Sequence, residues 1–457
     1  MAVYSAVVDM NKKMEDPESL FLRKLFKEFE EYEVRYAVMR NYDMLPRSLA
    51  GSDLDLLVEP DQEKLVRCCI NRTLSQAGGV SIGCVNTVGL FKIFAFGRGA
   101  SASDDWWGIR MDVSVGMSYA GSANLLHDNV FEAHIRNHNG IKVLSSDLAS
   151  LIGVVKELLY NDVLAERYLD DASEAIEKRW ASVELVLSPM GEKALESLKK
   201  VCLEKLSDLE VLVESKKMRK SVKSKAYLRS PIKYTTLKTQ YYVSRLLRFI
   251  NPPGKLIAVL GTDGSGKSTL INAIRPVLER ATHGDFVVEH LRPGLLPPLS
   301  RLKGEEVSDE VVVDPHGNKP SGFMISLARV FYYMLDYVFG YWVKVRPRIA
   351  KNPTIFLFDR YAYDLMIDSR RFRIKLPFGL LRLLIFFMPR PDLVICLHGD
   401  PEILAARKKE LPLPEVKRQV KLLRKFSKMQ KSSILISTES TINEARDEML
   451  MSIKEIC

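Results

Sequence analysis

Residues 255–270 read KLIAVLGTDGSGKSTL. The apolar run 256–260 predicts a buried strand, and residues 268–281 (STLINAIRPVLERA) predict a helix. Between them, Gly261-x-x-x-x-Gly266-Lys267-Ser268 has the spacing of a phosphate-binding loop, in the strand-then-helix context that such a loop requires. A glycine-rich turn that arose by chance is the alternative, and both flanking elements argue against it.

The residue types in this loop suit a triphosphate. Glycines let the backbone wrap around phosphate groups and direct its N–H groups inward, while the helix N-terminus adds positive potential. We expect Lys267 to reach the β- and γ-phosphates and the Ser268 hydroxyl to bind Mg²⁺, so the predicted cofactors are ATP and Mg²⁺. The predicted ATP-binding residues are Gly261, Thr262, Asp263, Gly264, Ser265, Gly266, Lys267, Ser268 and Thr269.

Four further apolar runs follow the first one through the C-terminal part of the chain. They read FVVEHL, TIFLF, DLVICL and ILIST, and a polar turn and a helical or long connecting segment follow each. Near-continuous apolar strands that alternate with helices indicate a parallel sheet covered on both faces. We therefore predict a doubly wound α/β domain over residues 251–457.

An acidic and a basic residue end the run TIFLF, which continues as Asp359-Arg360-Tyr361. They lie at the carboxyl end of a buried strand, where open α/β sheets bind ligands. We expect Asp359 to hold Mg²⁺ through water and Arg360 to bind a phosphate with two hydrogen bonds. A purely structural Asp–Arg pair is the alternative.

A basic cluster follows the next strand. Asp400-Pro401 predicts a helix start, with Asp as the cap and Pro in the first turn. Arg407, Lys408 and Lys409 lie near the end of that helix, ahead of a proline-bounded loop. They either close over the triphosphate or interact favourably with the helix C-terminus.

Residues 251–457 resemble the thymidylate kinase family of nucleoside monophosphate kinases. The resemblance rests on the loop, on Asp359-Arg360-Tyr361, on Pro391-Asp392-Leu393-Val394 and on Asp400-Pro401-Glu402. It implies that Asp263 lies on the acceptor side and that Asp359 and Arg360 serve the transferring and acceptor phosphates.

The same resemblance assigns a role to the basic cluster. Gly264 follows Asp263 at a position where some members of the family carry Arg. The family pattern then implies that Arg407, Lys408 or Lys409 supplies the missing cation. The predicted catalytic residues are Lys267, Asp359, Arg360, Arg407 and Asp263.

The sequence departs from that family around the acceptor. Tyr361-Ala362-Tyr363-Asp364 stands where family members continue to a Ser and an Ala-Tyr-Gln that contact the pyrimidine. A hydroxyl-rich or differently charged acceptor suits these residues as well as a base does. The candidate acceptor-binding residues are Arg292, Arg329, Tyr361 and Asp364. An ion pair between Arg329 and Asp336 is an alternative use of Arg329.

A second acidic motif, GSDLDLLV, lies in the N-terminal part of the chain. Its Asp53 and Asp55 face the same side of a strand, and Asp112 lies in another strand. Three converging carboxylates can hold two Mg²⁺ ions, and the pattern resembles the nucleotidyltransferase superfamily that includes polymerase β. The family's Gly-Ser helix start is replaced by residues 39–42 (MRNY), and acidic caps or surface charge are the alternative.

These patterns divide the chain into four parts. We predict a smaller nucleotidyltransferase-like α/β domain over residues 1–140, a helical segment over 141–215, a basic linker over 216–250 and the P-loop kinase domain over 251–457. The linker is either a solvated connecting helix or a surface for an acidic membrane or another polyanion. Nucleic acid is not expected, because no binding motif accompanies the charge.

Composition narrows the class of protein only partly. The chain has 457 residues and a net charge of +10, which favours anionic partners. Its six cysteines lack zinc-ligand spacing and its N-terminus lacks a signal-peptide pattern, so we expect a cytoplasmic location. The apolar stretch Met324–Val345 contains Arg329 and Asp336, so we interpret it as a buried helix, and contact with a membrane is the alternative.

The preferred function is an ATP-dependent kinase that transfers the γ-phosphoryl group to a small acceptor. The resemblance implies a nucleoside monophosphate such as dTMP and a possible homodimer. A sugar, a sugar phosphate or a glycan end in surface-polysaccharide metabolism is the main rival acceptor. Two other functions stay open: a nucleotidyltransferase that uses Asp53, Asp55 and Asp112 with a regulatory P-loop domain, and a non-catalytic nucleotide-gated scaffold.

Overall fold

A computed structural model describes residues 16–99, 105–299, 321–408 and 411–457. The chain divides into two compact units, Met1–Leu247 and Arg248–Cys457. Both combine helices with a sheet, so the protein is of the α/β type that the sequence predicts.

The N-terminal unit has its strands in the first part of the chain, with a few helices among them, and ends with helices. Its elements are α1 (Pro17–Glu31), β1 (Tyr36–Val38), β2 (Leu54–Val58), α2 (Glu63–Gln76), β3 (Gly79–Thr87), β4 (Leu90–Arg98), β5 (Trp106–Val115), β6 (Ser118–Tyr119), β7 (Ala123–Asn124), α3 (Val130–Ala133), β8 (Ile135–His138), β9 (Ile141–Leu144), α4 (Ser146–Asn161), α5 (Leu169–Leu187), α6 (Glu192–Leu203), α7 (Asp208–Arg229) and α8 (Pro231–Ile250). Three short 3-10 helices, Pro60–Gln62, Glu166–Tyr168 and Ser188–Met190, connect some of them.

Seven of these strands form one mixed sheet in the order β3-β4-β5-β2-β1-β9-β8. The pairs β2–β5 and β1–β9 are parallel, and the β1–β2, β3–β4, β4–β5 and β8–β9 pairs are antiparallel. Val38 of β1 is the register partner of Val143 of β9. The sheet therefore extends beyond residue 140, where the sequence analysis places the end of the first domain.

Both faces of this sheet are covered. On one face, Phe21 and Leu25 of α1 pack with Ile70 of α2 and with Leu54 and Leu56 of β2. On the other face, Leu57 belongs to the core that α4, α5, α6 and α7 form. Because neighbouring residues of a strand point to opposite faces, Leu56 and Leu57 fall into different cores.

The basic stretch 216–250 is helical along nearly its whole length. It comprises the second half of α7 and all of α8, and a capping box between Ser207 and Glu210 begins α7. No residue of α8 is buried, and apolar side chains such as Ile232 and Leu246 are exposed beside its basic ones. A connecting helix agrees with this geometry, while the acidic-surface interpretation stays a prediction.

The C-terminal unit repeats strand and helix in alternation. Its elements are β10 (Lys255–Gly261), α9 (Lys267–Thr282), β11 (Phe286–His290), α10 (Phe323–Gly340), a π-helical turn (Tyr341–Val345), α11 (Arg346–Lys351), β12 (Ile355–Asp359), α12 (Asp364–Ile367), α13 (Phe378–Phe386), β13 (Leu393–His398), α14 (Pro401–Arg407), α15 (Leu413–Met429), β14 (Ser433–Ser437) and α16 (Ile442–Glu455).

The five strands in the described part of this unit form a parallel sheet in the order β11-β12-β10-β13-β14, which confirms the predicted parallel sheet. The first strand, β10, is central, with β12 on one side and β13 on the other. The loop that follows β10 therefore lies between the carboxyl ends of two neighbouring strands. Open parallel sheets bind their ligands at this edge.

Helices pack against the two faces of the sheet. Leu256, Ala258 and Leu260 of β10 share a core with residues of α10, α13 and α15. Ile257 and Val259 are fully buried but lie outside that core, so they face the opposite side, where α9 contacts β10 and also packs against α16.

The prediction that Met324–Val345 is a buried helix is wrong. The segment is helical, but Met324, Ile325, Phe339 and Trp342 are exposed, and few of its side chains reach the core. Its apolar residues surround α10 instead of forming one inward stripe, so one helix face cannot bury them all. Of the helices within the described ranges, none has both the length and the hydropathy needed to cross a membrane.

Close backbone packing at Gly254 gives a test of the fold. An added Cβ there would lie 2.5 Å from the carbonyl oxygen of Thr354 and 2.9 Å from Cα of Ile349. Because both are backbone atoms, we expect Gly254→Ala to lower the free energy of unfolding of the C-terminal unit by about 1–3 kcal/mol.

Urea unfolding measures this loss, with Gly379→Ala as the matched control. Gly379 lies in the first turn of α13, and a Cβ there would meet no heavy atom within 4 Å. We expect that variant to be neutral or slightly stabilised, because Ala is the better helix former. Equal midpoints for the two variants would contradict the packing at Gly254.

Candidate active site

The glycine-rich loop connects β10 directly to α9. Gly264 and Gly266 have φ angles of +81° and +77°, in the left-handed region that favours glycine. A Cβ at Gly264 would also lie 2.8 Å from the carbonyl oxygen of Leu404, whereas Gly266 faces open space. The loop is thus closely packed against Leu404 at Gly264, and it is open to a ligand at Gly266.

Lys267 is the first residue of α9, and its side chain folds back into the loop. Its Nζ donates hydrogen bonds of 2.9 Å to the carbonyl oxygens of both Gly261 and Thr262. Burial lowers the pKa of Lys267 to about 8, and the nearby Arg360 guanidinium acts in the same direction. An anion bound at this loop would favour the ammonium form and raise that pKa again.

Asp359 ends β12 beside the loop. In the parallel registers it lies opposite Val259 of β10 and His290 of β11. Burial alone would raise the pKa of Asp359, but His290, whose Nδ1 lies 3.9 Å from Oδ2 of Asp359, and the charge of Lys267 lower it overall. Its Oδ1 is buried and has no hydrogen-bond partner within the described part of the chain. An ionised carboxylate with an unused oxygen is therefore present at the ligand-binding edge of the sheet.

Arg360 follows in a left-handed conformation, with φ of +74°. A non-glycine residue in such a conformation costs roughly 1–3 kcal/mol, and surrounding interactions must hold it there. Its backbone N–H donates to the carbonyl oxygen of Val259 at 2.9 Å, and its buried guanidinium forms an ion pair with Asp263. The turn directs Arg360 back toward the loop, while Asp364 lies at 3.9 Å on its other side.

Arg371 completes this ion-pair network, and the sequence analysis missed it. Its Nη1 lies 2.8 Å from Oδ2 of Asp263. Burial would raise the pKa of Asp263, but Arg360 and Arg371 together keep it below its usual range. The only signal in the sequence is the basic run Arg370-Arg371, whose distance from Asp263 along the chain hides the contact.

The basic cluster after β13 is only partly directed toward the loop. As predicted, Asp400 caps α14 by accepting hydrogen bonds from the backbone of Glu402 and Ile403. Arg407 donates to the carbonyl oxygen of Thr438 at 3.2 Å. A Cβ built at Gly264 would lie 3.3 Å from Cβ of Lys408, and the charge of Lys408 contributes to the low pKa of Asp263. Within the described residues of this cluster, Lys408 therefore lies beside the loop, and Lys409 lies outside the described residues.

Tyr361 and Asp364 have contacts that do not suit the predicted role of acceptor ligand. Tyr361 is fully buried, donates to the carbonyl oxygen of Pro389 at 2.6 Å and packs edge-to-face on Tyr337. Asp364 is also buried, behind Arg360, and burial raises its pKa. We do not retain either residue as an acceptor ligand.

The two candidate acceptor arginines have different partners. Nη1 of Arg292 lies 3.0 Å from Oδ2 of Asp336, which is completely buried. The alternative pairing of Arg329 with Asp336 is therefore wrong, and Arg329 donates instead to the carbonyl oxygen of Phe372 at 2.6 Å. Asp336 fixes Arg292 just beyond β11, at the same edge of the sheet as the loop.

The loop has suitable donors for Mg²⁺ in the presence of a nucleotide. Ser268 is exposed in the first turn of α9, and Asp359 has a free oxygen as described above. In phosphate sites Mg²⁺ takes one or two protein ligands and completes its shell with water and phosphate oxygens. These two residues therefore fit the ion, although the described ranges contain no group of three or more acidic, His or Cys residues placed to hold a metal ion.

The N-terminal carboxylates lie together, but cations accompany them. Asp55 of β2 and Asp112 of β5 are register partners on adjacent parallel strands. Nε of Arg40 lies 2.5 Å from Asp55, and Nζ of Lys92 lies 2.5 Å from Asp112.

A second guanidinium bridges this group. Arg110 contacts Asp112 at 3.0 Å and Asp53 at 3.4 Å. Three basic side chains thus form ion pairs with the carboxylates that were predicted to hold metal. The structure does not support the conditional metal site at Asp53, Asp55 and Asp112.

Comparisons with known proteins give little further information. No protein-family model and no curated protein matches the chain. Among solved structures, it is similar to thymidylate kinase from Ehrlichia chaffeensis, with 15% sequence identity and a TM-score of 0.32, over 43% of this chain and 97% of that one. The function of this chain is therefore argued from its own residues.

The lowered pKa of Lys267 predicts how ATP binding depends on pH. Below about pH 8 the free protein carries the ammonium, and above it the neutral amine predominates. Because phosphate binding requires the cation, we expect Mg·ATP affinity to fall by about tenfold between pH 7 and pH 9. Isothermal titration calorimetry measures the change. The residual binding of Lys267→Ala should be the same at both pH values, and an equal decline in that variant would exclude Lys267 as the cause.

Proposed function

We propose that this protein is an ATP-dependent kinase that transfers the γ-phosphoryl group to a small acceptor at the C-terminal unit. The juxtaposition of Lys267 and Asp359 carries the proposal. The buried ammonium lies at the start of α9, directly after the loop that follows β10, and the ionised carboxylate ends the adjacent parallel strand β12. Both lie at the edge of the sheet where a triphosphate would enter. Phosphoryl transfer requires mainly positioning and charge neutralisation, and these two groups supply both.

The remaining residues of the site have separate roles in this proposal. In the bound state Lys267 exchanges its two loop carbonyls for phosphate oxygens, while the loop N–H groups bind the β-phosphate. Ser268 and Asp359 hold Mg²⁺, which when bound neutralises charge on the transferring phosphates. Lys408 approaches from the other side of Gly264 and supplies the cation that the loop itself lacks.

The arrangement of arginines favours an acceptor that carries a phosphate. Asp263 holds Arg360 and Arg371 at the mouth of the loop, and Asp336 holds Arg292 just beyond β11. A guanidinium group that pairs with one carboxylate still has N–H donors that can bind a second anion. A nucleoside monophosphate such as dTMP is the first acceptor to test, and a sugar phosphate or a glycan end is the second.

Transfer from labelled ATP tests the proposal. Purified protein is incubated with γ-labelled ATP and a panel of nucleoside monophosphates, sugars and sugar phosphates. We expect one acceptor class to become labelled, and the rate to fall at least about 100-fold in Lys267→Ala and in Asp359→Asn, because each removes charge stabilisation of the transition state.

The control variant in this assay is Asp55→Asn with Asp112→Asn, which alters only the N-terminal unit. It should keep the transfer rate of the wild type. Absence of any labelled acceptor, or equal labelling by Lys267→Ala, would overturn the kinase proposal. Pyrophosphate release that is lost in the control but kept in Lys267→Ala would point to nucleotidyl transfer instead.

Variants of two neighbouring residues test which side chain supplies the cation that the loop lacks. Lys408 flanks the loop, whereas Arg407 is bound to the carbonyl oxygen of Thr438. We expect Lys408→Ala to lower kcat by about tenfold or more and Arg407→Ala to change it by less than about threefold. Steady-state kinetics with saturating acceptor measure both values, and the reverse order would assign the cation that the loop lacks to Arg407.

A further inference from the structure

Helix α13 has an unusual outward face. It buries the stripe formed by Leu381 and Ile385, yet it exposes the side chains of Phe378, Leu383 and Phe386, which are 59%, 54% and 60% accessible to solvent. Phe387, directly after the helix, is 61% exposed. A soluble surface normally carries exposed large apolar residues singly, so a cluster of four within ten residues indicates a binding face.

A groove opens beside this face. Residues of α12, α13 and α15 line it, among them Tyr363, Phe378 and Phe426, and its volume is about 480 Å³. Three cations, Arg382, Arg390 and Lys425, also line the groove, and none of its thirteen lining residues is acidic. The groove thus combines apolar walls with a wholly basic set of charged groups.

The surrounding sequence carries the same combination. From residue 372 to residue 391 (FRIKLPFGLLRLLIFFMPRP) there are four basic residues and no Asp or Glu. On the neighbouring α15, Lys421 and Lys428 are exposed near Lys425. The Arg390 guanidinium lies 4.6 Å from the ring centroid of Phe386, so charge and aromatic surface occur in one patch.

We propose that this face, formed by α13 and the groove beside it, docks onto the surface of an anionic lipid bilayer. Exposed Phe and Leu side chains enter the boundary between headgroups and acyl chains, while long basic side chains reach the lipid phosphates. This combination distinguishes an interfacial helix from a spanning one.

Charge also decides against a second copy of the chain as the occupant. A symmetric dimer through this face would bring its basic residues opposite the same basic patch of the partner, without carboxylates among the groove-lining residues to neutralise them. An anionic bilayer supplies the opposite charge at high density. The proposal goes beyond phosphoryl transfer, and vesicle binding does not require kinase activity.

Vesicle flotation with the full-length protein tests the docking face. We expect the protein to float with vesicles of phosphatidylcholine and phosphatidylserine, not with phosphatidylcholine alone, and to dissociate at high salt. The double variant Phe386→Ser/Phe387→Ser should reduce the bound fraction by about tenfold or more, and Arg382→Glu/Arg390→Glu should do the same.

The matched control is Ile442→Ser/Met451→Ser, which removes two exposed apolar residues from α16 of the same unit and should leave flotation unchanged. Circular dichroism and Mg·ATP binding show that each variant is folded.

Three outcomes would overturn the proposal. The first is a wild-type protein that does not float with acidic vesicles. The second is flotation that survives both α13 variants but is lost in Leu246→Ser/Ile250→Ser, which would assign the surface to α8. The third is a dimer in sedimentation velocity that Phe386→Ser/Phe387→Ser dissociates, which would assign the face to a second copy of the chain.

Discussion

The ammonium group of Lys267 is buried at the carboxyl end of the central strand, and its surroundings are organised to accommodate it. A buried cation is unfavourable unless carbonyl dipoles or negative charges compensate for lost water. Two loop carbonyls accept its hydrogen bonds, and Asp263 and Asp359 contribute the nearby negative charge. The pKa of about 8 shows that this compensation is incomplete in the free protein. An anion bound at the loop would complete it.

The charges next to Lys267 form a balanced network. Asp263 binds both Arg360 and Arg371, so the loop carboxylate is neutralised from two directions. The left-handed turn at Arg360 brings its guanidinium to this position, and its backbone hydrogen bond to Val259 ties the turn to the central strand. Strain, ion pairing and strand position therefore support one another at this edge of the sheet, as is common where a fold places functional groups.

The two units use acidic residues differently. In the C-terminal unit, Asp359 keeps an oxygen without a hydrogen-bond partner within the described ranges, which suits a ligand that arrives with its own cation. In the N-terminal unit, Asp55 and Asp112 are brought together by the parallel pairing of β2 and β5 but are held by Arg40 and Lys92. An aspartate oxygen is therefore available to a ligand in the C-terminal unit, whereas these two aspartates of the N-terminal unit are already ion-paired. The neighbouring cations cause this difference.

Sequence alone determined the parallel α/β sheet of the C-terminal unit, the loop between its first strand and helix, and the positions of Lys267, Asp359 and the Asp400 cap. These features are local: apolar runs, glycine spacing and capping residues act within a few positions of one another. Only the tertiary structure decided the ion pair of Asp263 with Arg371, the position of Lys408 beside the loop, the burial of Tyr361 and the exposed face of α13. Each depends on which distant segments pack together. The spacing of apolar residues along the chain does not specify which distant residue a side chain will contact.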